Sequence, residues 1–403
     1  MAKAARVALV WSQFIPPHVD RILAVARRLD GRARVTAVEV ASTSDTYGAF
    51  PATDTLEEVN HRLLFPGQDF AKVPAFSGFR SMFGTLRRFD LVCIGMPYTV
   101  PLILPLVALL RLAGTRVVLV FDSKFDDKPR RAGIELAKAA GLSLYSGAIV
   151  ASARTRSYLR FLGFRRRPLL GGADGVSVDR IRRDAGPDGD EAPFAERDFL
   201  FVGRLAPEKN LFTLIAAFQR YVADDPSSRR RLVLVGSGPL EDELRAYAAE
   251  RGLEKRVIFK GFLQGAELSA AIKRALALML VSSLEPWGLV VNEAVALGLP
   301  VIASEAPGAR DVLVRNLVNG YVVPPGSEIS LARAMTRMAA VPDEWTQMRT
   351  ASAERAWLGD CERFADAVEL LLFPGAQPAA RNMERYFAAF DDLPDAGRGG
   401  TDR

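Results

Sequence analysis

Glu285-Pro286-Trp287-Gly288-Leu289-Val290-Val291-Asn292-Glu293 comes after an apolar run, 275–281, and precedes Leu297-Gly298-Leu299-Pro300. The apolar run has the length and composition of a buried parallel strand. The segment from Glu285 on reads as a turn opening a helix, with Gly288 where backbone must come close to something. Gly298 and Pro300 stop that helix ahead of the next strand. A helix starting here would aim free N–H groups and its positive dipole end away from the strand, which suits an anion. Glu285 stands before the helix and Glu293 more than a turn into it, so the carboxylates are placed to flank a bound group. In a chain that is 25% charged, two such glutamates alone are better explained as a solvated helix face.

The same pattern extends in both directions. In the second half, 199–202, 232–235, 257–259, 277–281 and 301–303 read as strands, and 211–221, 240–249, 266–275 and 289–297 as helices. In the first half, strands are expected at 7–10, 35–40, 91–94, 117–121 and 148–151. Helical periodicity covers 18–29, 102–112, 129–140 and 155–162. Such alternation predicts α/β architecture with two parallel sheets, each covered by helices. Open sheets of this kind bind ligands at the carboxyl ends of their strands.

A length of 403 residues also favours two domains. The expected division is 1–180, a charged linker at 181–197, a second domain at 198–358, helices at 359–390 and a disordered tail at 391–403. The linker belongs to a Gly/Pro-bearing stretch, 179–197, that is almost without apolar residues. Residues 42–89 are less regular and hold Tyr47, Phe50, Phe65, Phe70, Phe76, Phe79 and Phe83. They read as loops over a groove, with the aromatics packing.

The formal net charge of +6 fits an anionic substrate and is too diffuse to argue for nucleic acid. Two distant cysteines, Cys93 and Cys361, form no disulfide or metal framework and suit a reducing cytoplasm. No signal peptide or membrane span is read, because the longest apolar segment, 100–112, is too short to cross a bilayer. The basic triplets 165–167 and 229–231 could make weak contact with anionic lipid, although solvated turns explain them better.

Four further stretches end strands on the same side as Glu285. Phe201-Val202-Gly203-Arg204-Leu205-Ala206-Pro207-Glu208-Lys209-Asn210 puts Arg204, a planar fork, and Lys209, a compact charge, beside a strand end. Val235-Gly236-Ser237-Gly238-Pro239 is a glycine turn where backbone can approach a flat ligand, a weak signal alone. Phe259-Lys260-Gly261-Phe262-Leu263 ends a strand with exposed backbone. Ser304-Glu305-Ala306-Pro307-Gly308-Ala309-Arg310-Asp311 opens another helix.

In this order and spacing, with Asn319-Gly320-Tyr321-Val322-Val323-Pro324-Pro325-Gly326 behind them, these stretches resemble the donor-binding domain of family 4 retaining glycosyltransferases. The resemblance covers 199–326, about a third of the chain. It implies the GT-B fold, two Rossmann-like domains facing a central cleft, with 361–372 crossing back to the first domain. It also implies a nucleoside-diphosphate sugar as donor substrate, no separate cofactor and an acceptor hydroxyl of unspecified identity.

By position, Arg204 and Lys209 would hold the diphosphate, Glu293 the ribose and Glu285 the donor sugar. Backbone at Trp287, Gly288, Leu289 and Val290 would meet sugar and phosphates. Backbone at Phe262 and Leu263 would read the base, beside the turn at Gly236. Two cations and a helix N-terminus stabilise the departing diphosphate more in the transition state than in the ground state. No metal is therefore expected. Asp188-Gly189-Asp190 matches the D-x-D metal pattern of a different transferase class, but it lacks the preceding strand and reads as solvated loop.

The first half departs from the family. The loop after the first strand, Trp11-Ser12-Gln13-Phe14-Ile15-Pro16-Pro17-His18, lacks the usual glycine pair. Asp122 stands where many members have a histidine, and it or Lys124 could serve sugar or acceptor; an Asp capping the next turn is the alternative. His18 and His61 read better as structural than as a general base. Ala153, Gly171, Gly172, Ala173 and Asp174 also read as structural. Two other functions remain open on sequence: a sugar-nucleotide 2-epimerase of the same fold and a non-catalytic nucleotide-sugar-binding subunit.

Overall fold

The computed structural model describes residues 4–44, 56, 58–187 and 192–391. The chain divides into two compact units, 1–177 with 361–388, and 178–360 with 389–403.

The first unit carries a seven-stranded sheet in the order β3-β2-β1-β4-β5-β6-β7. Its strands are β1 (Ala5–Trp11), β2 (Ala33–Thr43), β3 (Asn60–Asp69), β4 (Leu91–Ile94), β5 (Arg116–Phe121), β6 (Gly147–Val150) and β7 (Leu169–Gly171). All neighbouring pairs are parallel. Helices α1 (Pro16–Arg28), α2 (Ala75–Leu86), α3 (Ile103–Leu112), α4 (Ala132–Leu142) and α5 (Ala153–Phe161) lie between the strands in sequence.

The second unit opens with α6 (Val178–Asp184) and repeats the plan. In chain order it holds β8 (Phe199–Val202), α7 (Leu211–Asp224), β9 (Leu232–Val235), α8 (Glu241–Glu250), β10 (Val257–Gly261) and α9 (Gly265–Arg274). Then come β11 (Ala277–Leu280), α10 (Val290–Ala296), β12 (Val301–Ser304), α11 (Arg310–Leu313), β13 (Gly320–Val323), α12 (Glu328–Ala340) and α13 (Pro342–Arg355). Its parallel sheet has the order β10-β9-β8-β11-β12-β13. Strands β4, β6, β11 and β12 are buried at every residue, which is why their sequences are unbroken apolar or small runs. In each sheet the strand order reverses beside the first strand, at β1/β4 and β8/β11, and ligand crevices open at such points.

Two expectations need correction. Among the described residues of 42–89, where the sequence reads as irregular, lie a strand and a helix: β3 pairs with β2 from Thr36↔Asn60 onward, and α2 comes next. As an edge strand β3 has no fully buried residue and lacks clean alternation, so its period is hard to read. Phe65, Phe70, Phe79 and Phe83 pack against the core, while Phe76 is exposed; Tyr47 and Phe50 lie outside the described residues. The stretch 179–197 is not simply a linker either. Helix α6 buries Val178 and Ile181, and Arg182 donates to the Ala296 carbonyl at 3.0 Å. Arg197 is buried, donating to the carbonyls of Lys273 and Ala275. Its charged letters hid a helix with one apolar side. The 188–190 triplet and the tail beyond 391 lie outside the described residues.

After the second unit, α14 (Glu362–Leu372) and α15 (Gln377–Asp391) return, and residues 361–388 belong to the first unit. Arg28 on α1 is ion-paired with Glu362 (2.5 Å), Asp366 and Glu369 (3.4 Å) of α14, and Arg32 with Glu369. The close seat of α14 explains Gly172: at φ 93°, a Cβ there would meet the Arg363 carbonyl carbon at 2.6 Å. Gly163 has a similar φ of 96° but open space around it. Gly172→Ala should therefore cost roughly 2–4 kcal/mol and Gly163→Ala only about 1 kcal/mol. Urea unfolding of the two variants checks this, and equal losses would show that the close approach is not limiting.

Candidate functional site

Strands β8 and β11 are neighbours at the second unit's reversal point, and the loops after them are fastened together. Ser283 donates to the Glu208 carbonyl from its N–H (2.8 Å) and its hydroxyl (3.2 Å). Asn210 adopts a left-handed conformation, φ 57°, and its amide reaches the Val281 carbonyl at 3.4 Å. Thr213 holds that amide's oxygen at 2.8 Å. The fastening brings Lys209 Nζ onto Glu285 Oε2 as a hydrogen-bonded ion pair, with side chains only 16% and 12% exposed. Ser282 donates to the same oxygen at 3.1 Å, and Ser304 on β12 donates to the Ser282 carbonyl at 2.6 Å. Glu285 is thus oriented by three strand ends.

Arg204, on the same loop as Lys209, is 68% exposed and paired with Glu208 at 2.6 Å. Partial burial alone would raise the Glu208 carboxyl; hydrogen bonds from Arg204 and backbone, with the charges of Arg204 and Lys209, hold it below its ordinary value. A charged, surface-facing guanidinium therefore stands beside a shielded ammonium.

The turn after Glu285 depends on close approaches. At Gly288, φ 104°, a Cβ would come 2.7 Å from Leu280 Cδ2. At Gly308 it would come 2.1 Å from the Pro286 carbonyl oxygen. Trp287 is buried, its indole donates to Asn292 at 2.8 Å, and Asn292 donates to the Gly359 carbonyl at 3.0 Å. The Trp287 side chain is therefore an anchor for the turn. Gly288, Leu289 and Val290 remain partly exposed around it. Helix α10 begins at Val290, so the partly exposed Glu293 sits in its first turn, not beyond it as the sequence suggested. The left-handed Gly288 delays the helix start.

The glycine turn after β9 is set against the β8 loop. At Gly236, φ 133°, a Cβ would fall 1.9 Å from the Gly203 carbonyl oxygen, and at Gly238 2.4 Å from that of Leu205. Gly236 is buried and its N–H is bonded to the Gly261 carbonyl at 2.7 Å. Chain packing thus demands these glycines, whatever a ligand adds. Past Gly261, Phe262 is exposed and Leu263 partly so.

In the first unit the reversal point carries a different set. Arg21, buried on α1, donates to the carbonyls of Pro17 (2.9 Å) and Ala173 and lies 3.7 Å from Asp174. Burial and the neighbouring Asp122 push the Asp174 carboxyl up to about 7, against the pull of Arg21. Burial also raises Asp122, with Asp127 adding to it and its backbone hydrogen bond, Lys124 and Arg21 opposing. Asp122, Asp174 and Arg21 form one electrostatic group. Sequence reasoning missed Arg21 and took Asp174 as structural; an arginine on the buried face of a helix was the available signal.

Other first-unit candidates are committed elsewhere. Lys124 is buried and paired with Asp127 at 2.5 Å, so it, not Asp122, closes the turn after β5. His18 stacks on Trp11 at 4.8 Å with Nδ1 3.1 Å from the Gln13 carbonyl. Burial and Arg21 hold its pKa well below the ordinary value, outweighing that bond. His61 contacts Glu39, which also accepts from the Phe14 N–H at 2.7 Å. The basic triplets are not simply solvated turns: Arg230 is buried against Phe194, and Arg167 donates to the Leu142 carbonyl. No described helix is long and apolar enough to cross a membrane.

The sequence model of the family described as "Glycosyl transferases group 1" matches residues 189–355. An uncharacterized glycosyltransferase of Methanocaldococcus jannaschii is 34% identical over 143 residues, 36% of each chain. A D-inositol 3-phosphate glycosyltransferase of Streptomyces griseus is 35% identical over 164 residues, 39% of this chain and 34% of that one. The match thus spans little more than a third of these relatives' length. Anabaena HepE, crystallised with UDP and glucose, shares the fold with TM-score 0.68 at 18% identity, covering 91% of this chain and 99% of that one.

The raised Asp174 carboxyl has a consequence for stability. Between about pH 4 and 7 the folded chain keeps a proton there that the unfolded chain has released, so stability falls as pH rises, by at most about 1.4 kcal/mol per unit. Asp174→Asn should flatten that slope in chemical unfolding measured from about pH 4.5 to 7.5. An unchanged slope would show that Asp174 ionises normally.

Proposed function

We propose that this chain, whose residues 189–355 match the glycosyl transferases group 1 family, moves a sugar from a nucleoside diphosphate to an acceptor hydroxyl. The observation that carries the reading is the Lys209–Glu285 pair with Arg204 beside it, at the β8/β11 reversal point. Breaking the anomeric C–O bond leaves negative charge on the diphosphate. Arg204 and Lys209 stabilise that charge as it develops, which lowers the barrier more than it strengthens ground-state binding. Glu285 accepts hydrogen bonds from hydroxyls of the transferred sugar, and Glu293 from the ribose. Backbone of the 287–290 turn meets sugar and phosphate, and backbone at Phe262 and Leu263 takes the base beside the Gly236 turn.

Configuration at the anomeric carbon is retained in this reading. The acceptor oxygen attacks from the face the diphosphate leaves, and the departing phosphate oxygen takes the acceptor's proton. No side chain acts as general base, in keeping with a buried His18 held neutral and His61 bound to Glu39. No divalent ion is assigned a step. Asp122 serves the acceptor or sugar side, donating a hydrogen bond when its carboxyl is protonated. UDP is the first nucleotide to test because Anabaena HepE was crystallised with it.

A thermal-shift screen with UDP, GDP, dTDP and ADP, followed by titration calorimetry, should find one preferred diphosphate. Arg204→Ala and Lys209→Ala should each weaken its binding about 10–100-fold, the loss of one charged hydrogen bond to phosphate. Glu285→Ala should cut turnover at least about 100-fold while changing diphosphate affinity much less. Wild-type turnover in Glu285→Ala would sink the assignment, and isomerisation of donor incubated without acceptor would replace transfer by epimerisation.

A further inference from the structure

At the amino-terminal end of the first sheet, away from the strand ends that lead to His18 and Asp122, lies a cavity of about 440 Å³. Four arginines line it: Arg6, Arg34, Arg62 and Arg88. Strand register explains why they meet. Arg6 is the cross-strand partner of Arg34, Ala8 of Thr36 and Val10 of Val38. Thr36 is in turn the partner of Asn60, and Val38 of Arg62. With a side-chain period of two, these residues share one face of the sheet. Further along the strands that face is apolar core, where Ala8, Val10, Val38 and Val40 pack with Met82 and Leu86 of α2. Toward the strand starts the same face becomes cationic, and the end of α2 brings Arg88 and Phe89 over it.

Like charges directly opposite on neighbouring strands are destabilising. Arg6 is compensated by Asp90 at 3.4 Å. Among the described residues, Arg34, Arg62 and Arg88 have no ion-pair or hydrogen-bond partner. Within the cavity, Asn60 donates to Thr36 Oγ1 at 3.1 Å, leaving polar atoms on its wall, and Phe89 adds an aromatic surface. Planar guanidinium forks pair with carboxylate and phosphate alike, and several of them around one hollow favour the more highly charged phosphate.

From this we infer that the cavity between β1, β2, β3 and the end of α2 binds a phosphate group, as a second anion site separate from Arg204 and Lys209. The phosphate belongs either to a free phosphorylated compound or to a lipid headgroup, and the chemistry is shared. Bound there, it neutralises the uncompensated charges of Arg34, Arg62 and Arg88 and ties the strand starts to the end of α2, so it stabilises the first unit.

Titration calorimetry with inorganic pyrophosphate on the full chain tests this, comparing wild type, Arg34→Gln/Arg62→Gln and Arg204→Ala/Lys209→Ala. Wild type and the Arg204/Lys209 variant should both bind at the cavity, and Arg34→Gln/Arg62→Gln should weaken that event at least about tenfold. The glutamine variant should keep or raise the unliganded Tm, because it relieves repulsion; this shows that it folds. Cosedimentation with phosphatidylcholine vesicles carrying about 20% phosphatidic acid separates the sources. Capture that needs Arg34 and Arg62 assigns a headgroup, and pyrophosphate binding without capture assigns a free compound. If the glutamine variant matches wild type in both assays, or pyrophosphate binding vanishes with Arg204→Ala/Lys209→Ala, the inference is overturned. Its failure leaves the donor reading intact, since that rests on a different unit's residues.

Discussion

One ion pair, Lys209 with Glu285, sits between the two loops that Ser283 and Asn210 fasten together at the second unit's reversal point. It is shielded enough that neither partner is freely hydrated, and Ser282 and Ser304 leave the carboxylate little freedom to turn away. Removing two charges from water largely cancels their attraction, so the pair contributes little to net stability. Its effect is placement: it keeps an ammonium and a carboxylate at adjacent strand ends without collapsing the loops. In the proposed reaction a diphosphate, which carries more charge than one carboxylate, competes with Glu285 for the ammonium. That exchange frees Glu285 for the sugar.

The backbone around the pair is fixed by lack of room. Gly236 and Gly238 let the β9 turn press on the β8 loop, and Gly308 lets the β12 turn press on Pro286. The Trp287 indole, bonded to Asn292 and through it to Gly359, pins the intervening turn. Side chains at these positions would separate the loops by ångströms, and the charged groups would separate with them. The first unit uses the same device at Gly172, where α14 comes down on the chain.

Much of the fold and of this site is legible in the sequence because it is local. Strands buried on both faces, such as β11 and β12, announce themselves as apolar runs, and Leu297-Gly298-Leu299-Pro300 marks a helix stop. The motifs around Arg204, Gly236, Glu285 and Glu293 lie at strand ends whose order can be counted. The hidden features depend on distant partners or exposed edges. Strand β3 has one neighbour and little alternation, and α6 shows only two apolar residues among its charges. Arg21 meets Ala173 across 152 positions, and no pattern within either segment announces that contact. The Gly236 turn is legible as a turn, but the backbone it accommodates is not.

A crystal structure of the protein with a bound nucleoside diphosphate would show whether the Lys209–Glu285 pair opens to receive the leaving group. Phosphate oxygens should lie within hydrogen-bond distance of Lys209 Nζ and the Arg204 guanidinium, with Lys209 drawn off Glu285 and the ribose against Glu293. A diphosphate ordered elsewhere, with the Lys209–Glu285 pair intact and Arg204 still on Glu208, would contradict the proposed role of that pair.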